Sequence, residues 1–216
     1  GDATHERGIF KRGLDLSNES LKTMLLSTHF WFINAWMLVT VFRTMFILGS
    51  VREQLRKNGG GRDPIEADEM VRIFNWLILI SAVLTPVFGW VLDKGGLAAA
   101  FFLVNVLGIT SFGTIHAPQN ELVYFGFVVY GCFRAWSYSS ATAWVQGVFG
   151  GASFGKIYAA NSLFAILAAV IQTPVVEWTL RSVPSWGDFW PVNLGIQVLS
   201  ICLFSFPVWI WFRSRV

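Results

Sequence analysis

The chain has 216 residues, of which 54% are hydrophobic and 13% charged, with a mean hydropathy of +0.55. A soluble domain carries about 25% charged residues, so the composition excludes an ordinary water-soluble enzyme or binding module. The formal charge of +3 is spread over loops and forms no continuous basic face, so nucleic acid is not an expected partner.

In chain order, the polar stretch 1–27 reads as a cytoplasmic head or a linker between two halves, and 28–216 as a bundle of membrane-spanning helices. The chain opens Gly-Asp-Ala-Thr-His without an initiator Met, which reads as a fragment or a processed chain. Six apolar segments are long enough to cross a hydrocarbon core about 30 Å thick. They lie near Thr28–Ser50, Val71–Leu92, Leu97–Ile115, Leu122–Val148, Ile157–Leu180 and Phe189–Phe212. No stretch shows the two-residue alternation of a membrane barrel, so the expected fold is all-α with six transmembrane helices. Pro86, Pro174 and Pro207 fall inside spans, where a membrane helix tolerates them as kinks. Gly59-Gly60-Gly61 marks a flexible turn in the first loop. Placing both ends in the cytoplasm puts Lys94, Lys156 and Arg213 inside, a modest positive-inside bias.

The connection between the second and third segments is the most specific motif. Val91-Leu92 run into Asp93-Lys94-Gly95-Gly96, and the next apolar segment starts at Leu97, so the link is a tight turn between antiparallel helices. The pattern Gly89-x-x-x-Asp93-Lys94-x-Gly96 resembles the signature loop of the major facilitator superfamily, although Leu97 and Ala98 replace its usual final basic residues. That resemblance implies that Gly89 lets neighbouring helices close, that Asp93 sits at the helix end and that Lys94 faces the cytoplasm. From its position, Asp93 is expected to cap the third helix.

Two arginines lie inside spans. Arg134 is twelve residues into the fourth segment, roughly 18 Å deep at 1.5 Å per residue, and no span carries an acid near its middle. A charge there needs a cavity or a partner, so Arg134 is a candidate for holding a substrate carboxylate, with Tyr138 one turn on and Tyr130 one turn before. Helix-break carbonyls are the structural alternative. Arg43 reads as lying in the outer third of the first span, from which it could snorkel to the interface. Asn34 is nine positions away on roughly the opposite face, so only one of the two can point into a central cavity. Asn75, Asn105, Asn161, Gln172 and Asn193 read as interhelical glue. The glycines of 147–155 suit close packing or a tight turn before Lys156. Within that run Gly151-Ala-Ser153-Phe-Gly155 matches a hydrolase nucleophile pattern, but it lacks the strand which that pattern requires. His5, His29 and His116 lack metal-ligand spacing, and Cys132 and Cys202 lie in apolar segments, so no metal, cofactor, disulfide framework or enzyme activity is expected.

Three stretches carry a narrower resemblance. Val39-Thr-Val-Phe-Arg43-Thr-Met-Phe-Ile-Leu-Gly49, Cys132-Phe-Arg134-Ala-Trp-Ser-Tyr-Ser and Phe189-Trp-Pro-Val-Asn-Leu-Gly195 resemble the seventh, tenth and last helices of the sodium-independent L-type amino-acid facilitators, and protist amino-acid transporters look similar. The resemblance implies the second half of a facilitator, moving neutral or cationic amino acids by alternating access at the plasma membrane, with an organelle membrane as the alternative. It also implies a partner, either an N-terminal six-helix half of the same protein or a second subunit. The competing expectation is a membrane scaffold or assembly protein that keeps a transporter-like bundle without transporting.

Overall fold

The computed structural model describes residues 14–57, 62–186 and 189–214. Residues 1–13 of the head, the glycine turn Gly59–Gly61 and Arg215 lie outside the described residues. All regular structure among the described residues is helical: α1 (Leu21–Leu26), α2 (Thr28–Lys57), α3 (Pro64–Ser81), a 3₁₀ turn at Ala82–Leu84, α4 (Thr85–Ile115), α5 (Asn120–Trp186), α6 (Trp190–Cys202) and α7 (Ser205–Arg213). Four helical stretches are long and apolar enough to cross a membrane: Thr28–Lys57, Thr85–Ile115, Asn120–Ser182 and Trp190–Arg213. Large apolar side chains such as Trp76, Leu79, Val83, Leu163 and Val170 stand more than half exposed on the outside of the bundle, a surface that suits lipid rather than water.

α4 and α5 are each interrupted once, by a glycine. Gly96 has φ 72° and ψ −179°, and Gly150 has φ 74° and ψ 161°, a backbone region that is essentially restricted to glycine. The contacts on either side show that the chain turns back at each. Along residues 120–149, the Tyr130 hydroxyl donates to Thr44 O at 2.8 Å, and Trp144 stacks near His29 with centroids 6.3 Å apart. This stretch is therefore antiparallel to α2. After Gly150 the order inverts, with Phe164 packing near Phe30 and Gln172 lying beside Gly49. α3 and residues 85–95 run with 120–149, since Phe74 meets Phe127 and the Trp136 indole donates to Leu84 O. Beyond Gly96, Phe101 meets Trp36 and Gly108 meets Arg43, so 97–115 runs parallel to α2. α6 and α7 return along that stretch, since Gln197 donates to Ile109 O and Asn105 donates to Leu203 O.

Local chemistry explains the breaks. Pro86 sits in the first turn of α4, where a missing N–H is harmless, just after the 3₁₀ turn. Pro207 lacks the N–H that would bond to Leu203 O and its ring crowds that carbonyl, so α6 and α7 separate there. The Leu203 carbonyl instead accepts from the Phe206 N–H and from the Asn105 amide, each at 3.1 Å, while Asn105 Oδ1 accepts from the Trp36 indole at 2.9 Å. Asn105 thus ties three segments together in an apolar setting. We predict that Asn105→Leu leaves the Trp36 N–H without its partner and lowers stability by about 2 kcal/mol, at 1–3 kcal/mol per buried unpaired group. Thermal unfolding in detergent measures this, and an unchanged midpoint would show the bridge to be dispensable.

The head does more than link. Leu14 is buried, the Leu16 N–H donates to Val148 O at 2.7 Å, and Ser17 lies over Gly150, where an added Cβ would come within 2.8 Å of the serine Cβ. At Gly96 an added Cβ would meet nothing within 4 Å. Gly96→Ala should therefore cost only backbone strain, about 1–3 kcal/mol. Gly150→Ala should cost more, with part of the excess recovered by Ser17→Gly. Equal midpoints for Gly96→Ala and Gly150→Ala would contradict the head-to-turn packing.

Candidate functional site

Arg43 sits halfway along the 30-residue α2, and Arg134 halfway along 120–149. The Arg43 side chain does not snorkel. The residue is 1% exposed, and its guanidinium carbon lies 4.2 Å from the centroid of the Phe133 ring. On the α4 side it presses on Gly108, where a Cβ would fall 2.0 Å from Nη2, so only glycine leaves room for the guanidinium. Nε, Nη1 and Nη2 are all buried without a hydrogen-bond partner, and so is Thr40 Oγ1, one turn earlier on the same helix. The cation is held by the face of an aromatic ring.

The expected shallow position of Arg43 came from ending the first span at Ser50. The helix continues to Lys57, with Val51, Gln54 and Leu55 buried, and this extension moves Arg43 to the middle. Asn34 is also fully buried. Its Nδ2 donates to Phe30 O at 2.7 Å, and its Oδ1 has no partner. Opposite faces of α2 are both covered, so neither Arg43 nor Asn34 faces an open space.

Arg134 follows Phe133 directly, so the two arginines lie at nearly the same level. Arg134 and Tyr138 are half-buried, and Arg134 makes no hydrogen bond or salt bridge among the described residues. Tyr130, fully buried and bonded to Thr44 O, lies within electrostatic range of Arg43, Arg134 and Tyr138. The structure therefore gathers Arg43, Tyr130, Phe133, Arg134 and Tyr138 around one point of the α2–α5 contact. Sequence reasoning placed Tyr130, Arg134 and Tyr138 on one face. It missed Phe133 and Gly108, whose signals were a ring next to one arginine and a lone glycine inside an apolar run.

The signature-loop residues take a different geometry from the one expected. Asp93 and Lys94 are exposed, and Asp93 accepts no hydrogen bond among the described residues, so it does not cap the following helix. Asp93 is still helical, and the break falls three residues later, at Gly96, which occupies the capping position itself. Gly89 has open space where a Cβ would be, so it closes no helix contact here. Ser153 lies within the helix that follows Gly150, with no strand beside it. Among the described residues, no group of three His, Cys, Asp or Glu could hold a metal ion.

At the far end from Asp93, Arg52 and Asp68 form a two-point salt bridge at 2.6 and 2.7 Å between α2 and α3. The hydrogen bond from Arg52 holds the Asp68 carboxyl below its ordinary range. An open groove of ≈ 550 Å³ runs past this pair along Arg72, Asn75 and Trp76, well away from the central arginines. At the same end Asn193 donates to Gln54 Oε1 and contacts His116, joining α6, α2 and the end of α4. Asn161 is buried with its Oδ1 unpartnered, and Gln172 is half-buried beside Gly49.

No protein-family model matches the chain, and no solved structure matches it significantly. The class defined by its fold is that of an all-helical protein with several apolar, membrane-length helices.

Proposed function

We propose that the chain is one half of a solute transporter of the major facilitator type, a six-pass integral membrane bundle that moves small carboxylate-bearing solutes, amino acids foremost, by alternating access. Splitting Thr85–Ile115 at Gly96 and Asn120–Ser182 at Gly150, and counting α3 together with residues 85–95 as a single pass, gives six passes of alternating direction. Six passes form one repeat of such a transporter, whose substrate sits near the midplane between two repeats. The partner repeat is an N-terminal half of the same protein or a second subunit, and the resident membrane is the plasma membrane.

The observation that carries this reading is the pair of arginines at mid-bundle with no acid beside them among the described residues. Intramembrane cations are expensive and persist where a pathway or ligand uses them. The half-buried Arg134 offers a planar fork that a carboxylate can meet at two points. No catalysis is required, only rocking of this bundle against its partner.

Reconstitution of the protein, with whatever flanking sequence it naturally carries, into liposomes tests the proposal. Counterflow of labelled amino acids above the rate in empty liposomes is expected. A protein that inserts with six crossings yet moves none of a broad amino-acid and organic-acid panel is a scaffold, and the transport reading then fails.

A further inference from the structure

Charge at the middle of the bundle is one-sided. Arg43 and Arg134 stand at one level, linked through Phe133 and Tyr130. Among the described residues every acid lies elsewhere. Asp15 and Glu19 are in the head, and Asp93 is just before the Gly96 turn. Glu53, Asp63, Glu66, Asp68, Glu69 and Glu121 cluster at the opposite end, around the last turns of α2 and the starts of α3 and α5. Glu177 is exposed late in α5, paired with Arg181 at 3.5 Å. None reaches the arginines, and all three nitrogens of the fully buried Arg43 lack acceptors. Two cations in a low-dielectric interior, with no acid beside them among the described residues, set up a strong positive potential that a negative guest relieves.

Building on the transport reading, we infer that this half binds solutes of net negative charge, dicarboxylates and acidic amino acids, in preference to neutral or cationic ones. A neutral amino acid brings one carboxylate and one ammonium, and the ammonium meets two arginines with no acid to receive it. Succinate brings no such liability, and an acidic amino acid offsets its ammonium with a second carboxylate. Arg134 is the direct ligand, because it is partly exposed and makes no hydrogen bond or salt bridge among the described residues, so its fork can form a two-point contact. Arg43 is a positioning residue. It is sealed behind the Phe133 ring and acts on the guest through the field it adds and through its hold on that ring. Tyr138, half-buried on the Arg134 face, offers a hydroxyl to the second carboxylate.

Binding measured separately from transport tests this. The purified full protein is titrated with succinate, glutamate, leucine, lysine and chloride, with affinity read by equilibrium binding and by thermal shift. Succinate and glutamate should bind at least about tenfold more tightly than leucine, the size expected for one charge-assisted hydrogen bond. Lysine should bind weakest. Arg134→Gln should remove the preference and Arg134→Lys should keep part of it. Arg43→Met should shrink the ratio of succinate to leucine affinity without lowering the melting temperature, which a merely structural arginine would not do. Equal affinity for leucine and succinate overturns the inference, as does failure to bind either dicarboxylate, saturation by chloride alone, or a preference that survives the Arg134→Gln, Arg43→Met double variant. Anion-selective binding without uptake upholds the inference and removes the transport function. Amino-acid uptake without anion preference does the reverse.

Discussion

Replacing Arg43 with methionine is expected to raise the melting temperature, although it removes a fully buried side chain with a ring contact. The guanidinium is 1% exposed and lacks any hydrogen-bond acceptor for its three nitrogens. Taking an ion out of water costs several kcal/mol even after relaxation. Against this stands the contact with Phe133 at 4.2 Å, which contributes about 2 kcal/mol when desolvated. The penalty wins. Methionine follows the same path, ends near the position of Nε and keeps a favourable sulfur–ring contact. Exchanging buried ionic groups for apolar ones of similar volume stabilises proteins by about 1–4 kcal/mol. At roughly 2–4 °C per kcal/mol for a chain of this size, the gain is a shift of several degrees. Thermal unfolding of the two proteins in one detergent reads it directly. A midpoint several degrees lower in the variant would show that Arg43 is a structural pin whose charge is already balanced.

A raised midpoint fits a residue kept for function at the expense of stability. It also explains why the arginine is surrounded so closely. Phe133 covers one side and Gly108 allows the backbone of α4 to approach the other, so the cation stays in one place.

Much of the fold can be read from the apolar segments, because every crossing must satisfy its own backbone and so has to be a helix. The turn glycines are also legible. Gly96 and Gly150 lie in the two glycine-containing runs singled out from sequence, and both carry positive φ. Helix ends are not legible, because hydropathy reports where lipid stops rather than where the helix stops. Val51-Arg-Glu-Gln-Leu-Arg-Lys57 is polar, yet it continues α2 with Arg56 paired to Glu53 at 3.2 Å. That extension decides the depth of Arg43. Asp93 illustrates a different limit: a carboxylate next to a turn suggests a cap, but which residue leaves helical geometry is set by the glycine with φ 72°. In the candidate site, the residue types and the face of Arg134 could be read. The junction with Arg43 could not, because it depends on which helices touch. Phe133 and Tyr130 bring α5 to α2, whereas Gly108 brings in α4 at a residue with no side chain to announce the contact.

The second large effect is expected at Gly108, and it tests this junction directly. An alanine Cβ would lie 2.0, 2.5 and 2.7 Å from Nη2, Cζ and Nη1 of Arg43. On an open surface the arginine would swing away at little cost. Here it is fully buried against Phe133, so either the guanidinium leaves the ring or α4 moves off α2. Overpacking of this kind costs about 1–3 kcal/mol, to which loss of the ring contact adds. Gly108→Ala should therefore lower stability by roughly 2–4 kcal/mol in the wild-type background. All three clashing atoms are absent from methionine. In the Arg43→Met background the same substitution should cost under about 1 kcal/mol, in line with a helix position that favours alanine over glycine. The difference between the two backgrounds is the coupling energy of the pair, expected above about 1.5 kcal/mol for residues in direct contact. Additive effects would mean that Arg43 and Gly108 do not meet. The convergence of α2, α4 and α5 on one buried cation would then be wrong, and with it the basis for assigning the centre of the bundle to an anionic solute.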